Sequence, residues 1–413
     1  MLKTIAVNQV RIGMYIHELK GPWMDHPFWR TKFILKDELD LLKLRGSALK
    51  EVVIDNTRGL DVLPEPEPVA ETLTDKELAL LELDGVAEEV MPGVKQIPEV
   101  KQVPLDAEHR KAAKIIQSSR REIMSMFKDL RMGKVIEAAN VMPLVEEISA
   151  SVTRNTHALI SLVRLKTADD YTYMHSIAVS ALMTNLAREL KLSEAEVMQA
   201  GLAGLMHDMG KAEVPVQILN KPGSLTDYEF DVIRLHPQKG YDMLLKANIT
   251  DPVTLDVCLH HHEKIDGSGY PGHLAGDNIS IYARMGAICD VYDALTSTRA
   301  YKPGWEPGIA LKRMASWNGH FDPKVLEAFV KSMGIYPIGT VVMLKSGRLA
   351  VVVRQTPDNL LMPVVKAFFS TKSLVHIPVE EIDLSRQGAD EIVSNESAMS
   401  WGIGNIEHLW AAQ

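Results

Sequence analysis

The stretch AEVMQAGLAGLMHDMGK, residues 195–211, joins an apolar segment to a histidine–aspartate pair. Its apolar residues recur at every third or fourth position, which predicts an α-helix with a buried face. Ser193 and Glu196 match a capping box and predict where this helix begins, and Thr226 and Glu229 match another that predicts a later helix start. His207 and Asp208 therefore stand among Leu, Met and Ala side chains. A carboxylate or imidazole in such surroundings costs free energy unless it is paired or binds a metal.

The same combination recurs through a region with helical periodicity, from about residue 107 to residue 333. Each further case places an imidazole or carboxylate within or at the end of an apolar helix. These residues are His175, His236, His260, His261, His262 and Asp290. One such histidine alone is more often a packing or surface residue, but the set together favours a metal site.

Imidazole and carboxylate without thiolate suit divalent iron, manganese, nickel or zinc. An aspartate placed between two sets of ligands can bridge two ions through its two oxygens. Two ions about 3.5–4 Å apart can activate a water molecule and bind a phosphoryl group. The residue types therefore favour a metal site, and phosphoryl chemistry is one reaction that such a site can perform.

Composition limits the other classes of function. The 413 residues include 45 basic and 54 acidic side chains, giving a formal net charge of −9. This balance argues against non-specific binding to a DNA or RNA polymer. The two cysteines, Cys258 and Cys289, fit a reducing compartment. Without a signal-like N-terminus or about 18 continuous apolar residues, we expect a cytoplasmic protein with no membrane segment.

The pattern along the chain predicts a multidomain α+β protein. TIAVNQV and EVVIDN near the N-terminus have strand character, PEPEP at residues 64–68 is stiff and extended, and GTVVMLKSGRLAVVVRQ at residues 339–355 predicts two strands about a Ser-Gly turn. The predicted parts are a small β-rich N-terminal domain (1–63), a Pro-rich acidic linker (64–110), a central all-α domain (111–335) and a β-rich C-terminal segment and tail (336–413).

HDMGK at residues 207–211, followed by HHEKIDGSGYP at residues 261–271, resembles the HD-GYP family of HD phosphohydrolases. The resemblance continues through ARMGAICDVYDALTSTRAYK, residues 283–302, and covers roughly residues 151–333. It implies a helical HD-type domain with two or three metal ions that hydrolyses cyclic di-GMP, a bacterial second messenger, to linear pGpG and often to GMP. The N-terminal unit resembles a small domain of unknown function often found ahead of HD-GYP domains.

The resemblance also implies roles for individual residues. The implied metal ligands are His175, His207, Asp208, His236, His261, His262 and Asp290. Asp208 would bridge two ions, His175, His207 and Asp290 would complete one of them, and the other three histidines would hold the second. Lys211 would contact the scissile phosphate, with Asp208 and Lys211 as the catalytic pair. Arg299 and Lys302 would bind the substrate phosphates.

Tyr171 occupies the position where family members with three metals have a glutamate, so we predict two divalent ions, with iron or manganese expected ahead of nickel or zinc. In the GYP loop, Glu263 and Asp266 are expected to orient the ligand histidines. Tyr270, if exposed, would contact substrate or a partner. A purely structural role for this loop is the alternative. The N-terminal domain or the loop would also serve contacts with a second copy or a signalling protein.

Three functions remain open from the sequence. The first is a cyclic di-GMP phosphodiesterase. The second is a hydrolase of another nucleotide, such as cyclic GMP-AMP, because the same metal ligands serve every such substrate. The third is a nucleotide-sensing module without turnover.

Overall fold

The structure is a computed structural model, and it describes residues 2–7, 10, 13–20, 32–35, 41, 44, 51–60, 103, 105–132, 141–164, 171–219, 221, 225–297, 304–356, 359–404 and 406–411. Predictions for other positions, Arg299 and Lys302 among them, lie outside the described residues. The chain divides into two compact units. The smaller contains residues 1–71 with the segments 346–349 and 367–379, and the larger contains the remainder.

The N-terminal part of the chain forms a four-stranded sheet. Its strands are β1 (Leu2–Ala6), β2 (Tyr15–Lys20), β3 (Phe33–Ile34) and β4 (Glu51–Asp55). In the order β1-β4-β2-β3, β4 pairs antiparallel with both β1 and β2, and Ile5 faces Val52. Alternate apolar residues such as Ile5, Ile16 and Ile54 bury one face as a small core. The predicted β-rich N-terminal domain is confirmed.

The larger unit contains a helical domain with one extensive apolar core. Its helices are α1 (Leu105–Arg131), α2 (Met142–Arg154), α3 (Thr156–Val163), α4 (Tyr171–Glu189), α5 (Glu194–Met206), α6 (Val216–Leu219), α7 (Asp227–Ile233), α8 (His236–Lys246), α9 (Pro252–His260), α10 (Ile281–Thr296), α11 (Pro307–Ser316) and α12 (Pro323–Met333), with 3₁₀ turns at Met209–Glu213 and Gly276–Asn278. Helix α1 begins at Leu105, inside the predicted linker, and the domain boundaries themselves stay predictions.

Local sequence signals set several of these helix ends. The backbone N–H of Ser193 donates to the Glu196 carboxylate at 2.8 Å, and that of Thr226 donates to Glu229 at 2.7 Å. Both predicted capping boxes are therefore confirmed, at the starts of α5 and α7. These caps satisfy backbone donors at the helix starts, where no intrahelical partner exists.

Helices α4 and α5 pack closely because small residues face the contact. A Cβ atom added to Gly204 would lie 2.9 Å from the Val179 carbonyl oxygen, so only glycine permits this approach. The close packing places His175 of α4 and His207 after α5 with their ring centroids 5.1 Å apart. The fold thus sets the spacing of two predicted ligands.

The C-terminal part of the chain forms a five-stranded sheet in the order β8-β7-β6-β5-β9. Its strands are β5 (Val341–Leu344), β6 (Arg348–Arg354), β7 (Val364–Ser370), β8 (Val375–Asp383) and β9 (Ile392–Glu396), followed by 3₁₀ turns at Ala398–Trp401 and Glu407–Leu409. Gly347 turns between β5 and β6 with a φ of +81°. The predicted hairpin is confirmed, and with it the α+β class. No helix among the described residues is long and apolar enough to cross a membrane.

Gly210 provides a first test of the packing. A Cβ at this position would lie 1.8 Å from the His236 carbonyl oxygen and 2.4 Å from the Gly240 nitrogen. We expect Gly210→Ala to destabilise the protein by about 1–3 kcal/mol because backbone atoms must separate. Thermal unfolding of the metal-free protein measures this. Gly404→Ala is the control, since a Cβ there meets no atom within 4 Å. Equal midpoints for both variants would contradict the packing account.

Candidate metal centre

The structure gathers the seven predicted ligands into two adjoining groups. The first group is His175, His207, Asp208 and Asp290, and the second is His236, His261 and His262. Within each group the nitrogen or oxygen atoms that would bind an ion all lie within 4.8 Å of one another. Residues up to 115 positions apart in the sequence therefore meet in one place.

Asp208 lies between the two groups and faces both. Its Oδ2 lies 3.3 Å from Nε2 of His175 and 3.2 Å from Nε2 of His207. Its Oδ1 lies 3.2 Å from Nε2 of His236 and 3.7 Å from Nε2 of His261. Each carboxylate oxygen thus points to a different group, which is the arrangement that a bridging ligand requires.

The far side of the imidazole rings is occupied by hydrogen-bond acceptors. Nδ1 of His207 donates to the Gly204 carbonyl oxygen at 2.8 Å, that of His236 to Ile233 at 2.9 Å and that of His261 to Val257 at 2.9 Å. A proton on Nδ1 leaves Nε2 of a neutral ring as a lone pair. The Nε2 atoms of His236 and His261 are only 3.3 Å apart. A cation between them would relieve this opposition of lone pairs.

His175 is oriented by a carboxylate instead. Its Nδ1 donates to Oδ2 of Asp293 at 2.7 Å, and Ser297 donates its hydroxyl to the other Asp293 oxygen at 3.2 Å. The opposite ring nitrogen, Nε2, lies 3.0 Å from Asp290. This carboxylate–histidine–ligand arrangement is typical of protein metal sites. The sequence analysis missed Asp293, although its spacing of three residues from Asp290 on α10 was a usable signal.

The buried polar atoms of the centre fit a metal. Among the described residues, no hydrogen-bond partner of acceptable geometry engages Nε2 of His207, Oδ1 of Asp208 or either carboxylate oxygen of Asp290. Asp208 is 4% exposed and Asp290 is 1% exposed. Buried polar atoms without a hydrogen-bond partner are destabilising. Divalent cations satisfy such a nitrogen and oxygen donor set.

The histidines of the centre differ in the direction in which their pKa values are shifted. Burial lowers the pKa of His261 to about 3 and holds the pKa of His262 well below its usual value, so both rings are neutral. Burial would also lower the pKa of His175 and His207, but the adjacent carboxylates of Asp208 and Asp290 outweigh it. The pKa rises to about 10 for His175 and about 9 for His207. Without metal, protons on these two rings balance the carboxylates.

Lys211 lies three residues after Asp208 in the sequence. Its side chain is 2% exposed, and Nζ lies 2.8 Å from Oδ2 of Asp208. The charges of His207 and Lys211 overcome the effect of burial and hold the pKa of Asp208 well below its usual range. An ammonium group is thus available at the centre.

The GYP loop packs against His262. Tyr270 is 4% exposed and stacks on the ring of His262, with centroids 4.7 Å apart and planes at 23°, so its burial favours the structural alternative over a contact with substrate or a partner. Glu263 accepts from the backbone N–H groups of Gly272 and Leu274, and Asp266 accepts from Ser268. These carboxylates therefore accept from backbone N–H groups of the loop, and the expectation that they orient the imidazoles stays a prediction.

The remaining predictions have a plain outcome. Neither Cys258 nor Cys289 forms a disulfide, and both are buried. Burial raises the pKa of each thiol, which fits inert packing residues. Tyr171 begins α4, but its side chain is outside the described part of the structure.

Comparison with known proteins agrees with this fold. The HD domain family matches residues 143–325, and a domain of unknown function, DUF3391, matches residues 2–141. The fold and the clustered ligands thus define an HD-domain protein.

Among similar proteins, cyclic di-GMP phosphodiesterase PA4108 of Pseudomonas aeruginosa is 52% identical over 99% of this chain and 96% of its own length. Cyclic di-GMP phosphodiesterase response regulator RpfG of Xanthomonas campestris is 42% identical over 35% of this chain and 39% of its own. The 3′3′-cGAMP-specific phosphodiesterase 2 of Vibrio cholerae is 34% identical over 48% and 38%. The chain belongs to the HD-GYP family of metal-dependent HD phosphohydrolases, with DUF3391 as its N-terminal domain.

Replacing Asp293 with Asn tests how His175 is oriented. The amide keeps the size of the side chain but removes the charge that fixes the His175 N–H, so metal affinity should fall by about 10–100-fold. Asp256→Asn is a matched control, because Asp256 accepts from Nδ1 of His260 at 2.8 Å outside the centre. Manganese titration measures both. Equal metal affinities for the two variants would show that Asp293 does not orient His175 for metal binding.

Proposed function

We propose that this chain is a metal-dependent phosphodiesterase that hydrolyses cyclic di-GMP to linear pGpG, and onward to GMP, in bacterial second-messenger signalling. The observation that supports it most is the position of Asp208, whose two oxygens face the two groups of imidazoles. The substrate rests on the relative named a cyclic di-GMP phosphodiesterase, which is 52% identical over nearly the whole chain. Because the substrate is a second messenger, the cytoplasm is the proposed compartment.

The proposed centre holds two divalent ions, iron or manganese ahead of nickel or zinc. His175, His207 and Asp290 would hold one ion, the three histidines of the second group would hold the other, and Asp208 would bridge them. Two groups of donors, with nitrogen and oxygen but no sulfur, support this assignment. When bound, such a pair of ions activates water and stabilises charge on a phosphoryl group.

The side chains around the ions have separate roles in this proposal. The hydrogen bonds to Nδ1 keep the imidazoles aimed at the centre, so that no reorientation is needed during the reaction. Lys211 would donate a hydrogen bond to an oxygen of the scissile phosphate, a role supported by its buried ammonium beside Asp208. Arg299 and Lys302 would bind the other phosphate, and this rests on the family resemblance alone.

Two other functions compete with this one. A relative named as specific for 3′3′-cGAMP matches about half of the chain at 34% identity, so the 52% match over 99% favours cyclic di-GMP. A sensing module without turnover has no need of a complete ligand set. Here the seven predicted ligands lie in two groups that could each hold an ion, which supports an enzyme.

Parallel turnover assays decide among the three functions. Protein loaded anaerobically with ferrous iron or manganese is given cyclic di-GMP or 3′3′-cGAMP, and the products are identified. We expect pGpG from cyclic di-GMP at a higher rate than any product from 3′3′-cGAMP. Faster hydrolysis of 3′3′-cGAMP, or stoichiometric binding without product, would overturn the proposal. So would an Asp208→Ala variant with a near-normal rate.

Lys211 can be separated from metal binding by substitution. Lys211→Met keeps the length of the side chain and leaves the ligands intact, so the protein should load metal normally. Loss of one preorganised donor to the phosphate should reduce kcat about 100-fold or more. Lys239→Met is the control, because Lys239 pairs with Glu213 at 3.5 Å instead of with Asp208. Unchanged kcat in Lys211→Met would refute this role.

A further inference from the structure

We propose that Tyr270 and Arg234 form a positioning pair that sets the orientation of His262 and, through it, the affinity of the second metal position. This inference rests on the proposed function, because it assigns His236, His261 and His262 to one ion. It gives the tyrosine of the GYP loop a role within the centre. It also adds Arg234, which the sequence analysis did not single out.

The rings around His262 restrict its orientation. Its centroid lies 4.1 Å from that of His261 and 4.9 Å from that of His236, and the His236 ring stands almost perpendicular to it. Tyr270 is the ring that lies nearly parallel, at 23°. A ring held against a parallel aromatic surface resists rotation about its side-chain bonds. The stack therefore helps to aim Nε2 of His262, which lies 3.2 Å from Nε2 of His236.

The loop that supplies Tyr270 is fixed at several points. The backbone N–H of Tyr270 donates to the His262 carbonyl oxygen at 3.2 Å, which closes the loop directly onto the ligand residue. A Cβ at Gly269 would lie 2.5 Å from Cα of Glu263, so a larger residue would push the loop away. The Glu263 carboxylate binds the N–H groups of Gly272 at 2.6 Å and Leu274 at 3.0 Å. Tyr270 is thus presented on a rigid backbone.

Arg234 connects this loop to the other histidine of the group. Its guanidinium carbon lies 5.0 Å from the centroid of Tyr270, within the range of a cation–π contact. Among the described residues, Arg234 forms no ion pair with an acidic side chain, so aromatic rings are its main partners there. It is the C-cap residue that follows α7, two positions before His236. The Arg234–Tyr270 contact therefore ties the segment bearing His236 to the segment bearing His261 and His262.

The effect should concern the second metal position more than the first. Asp293 orients His175, and the Gly204 carbonyl oxygen orients His207. Neither contact involves the GYP loop or Arg234. Loss of the stack would loosen one ligand of the second group while these contacts remain. A general loss of structure would instead weaken both positions together.

Manganese titration of the full-length protein without substrate tests the pair. In Tyr270→Leu, which removes the ring, binding of the second ion should weaken by about 10–100-fold while the first ion binds nearly as in the wild type. Tyr270→Phe keeps the ring and should bind both ions almost normally. Arg234→Gln should weaken the second ion by about two- to fivefold, and Arg234→Lys should restore part of that loss. Tyr228→Leu is the control, since Tyr228 is 74% exposed.

Each outcome decides the matter. Two unchanged affinities in Tyr270→Leu, or equal damage from Tyr270→Phe and Tyr270→Leu, would overturn the positioning pair and leave the proposed function intact. If circular dichroism shows Tyr270→Leu to be unfolded, the two Arg234 variants decide instead, and unchanged binding in Arg234→Gln overturns the pair. Wild-type protein that binds no metal would refute the proposed function, and this inference would fall with it.

Discussion

The structure depends on one buried carboxylate. Asp208 is almost inaccessible to water, and four imidazole Nε2 atoms lie within 3.7 Å of its two oxygens. Nδ1 of each of those rings is directed at an acceptor on the far side, so all four Nε2 atoms face the carboxylate. The proposed pair of cations would bind among these atoms, and the helical domain holds the atoms in place.

Small residues make that arrangement possible. Gly204 lets α5 approach α4, and Gly210 lets the turn after the histidine–aspartate pair lie against the start of α8. The first contact sets the distance between His175 and His207, and the second sets the distance between Asp208 and His236. In both places the glycine serves close packing rather than an unusual backbone angle. Because the interior is closely packed, these helices cannot shift without overlap, and the side chains of the proposed ligands stay in position.

Much of this could be predicted from the sequence, and the limits have physical reasons. Residue type and position within apolar helices pointed to the histidines and aspartates that the structure gathers, and the family resemblance implied which of them would bind metal. Capping boxes located two helix starts, because that signal is local. The acceptors behind the imidazoles are mostly backbone carbonyl groups, which the sequence does not distinguish. The sequence left open whether Tyr270 is exposed, and the structure buries it, because hydrogen bonds from the loop N–H groups to Glu263 hold the loop against His262. Glu263 was expected to orient the histidines because ligating imidazoles usually donate to carboxylates, whereas its partners here are backbone N–H groups.

Electron paramagnetic resonance of manganese-loaded protein tests the central claim most directly. Two ions that share the Asp208 carboxylate interact magnetically, whereas ions in separate sites do not. The account predicts two manganese ions per chain and a spectrum broadened by coupling at full loading. One ion per chain, or the sharp six-line spectrum of isolated manganese at full loading, would contradict a centre bridged by Asp208.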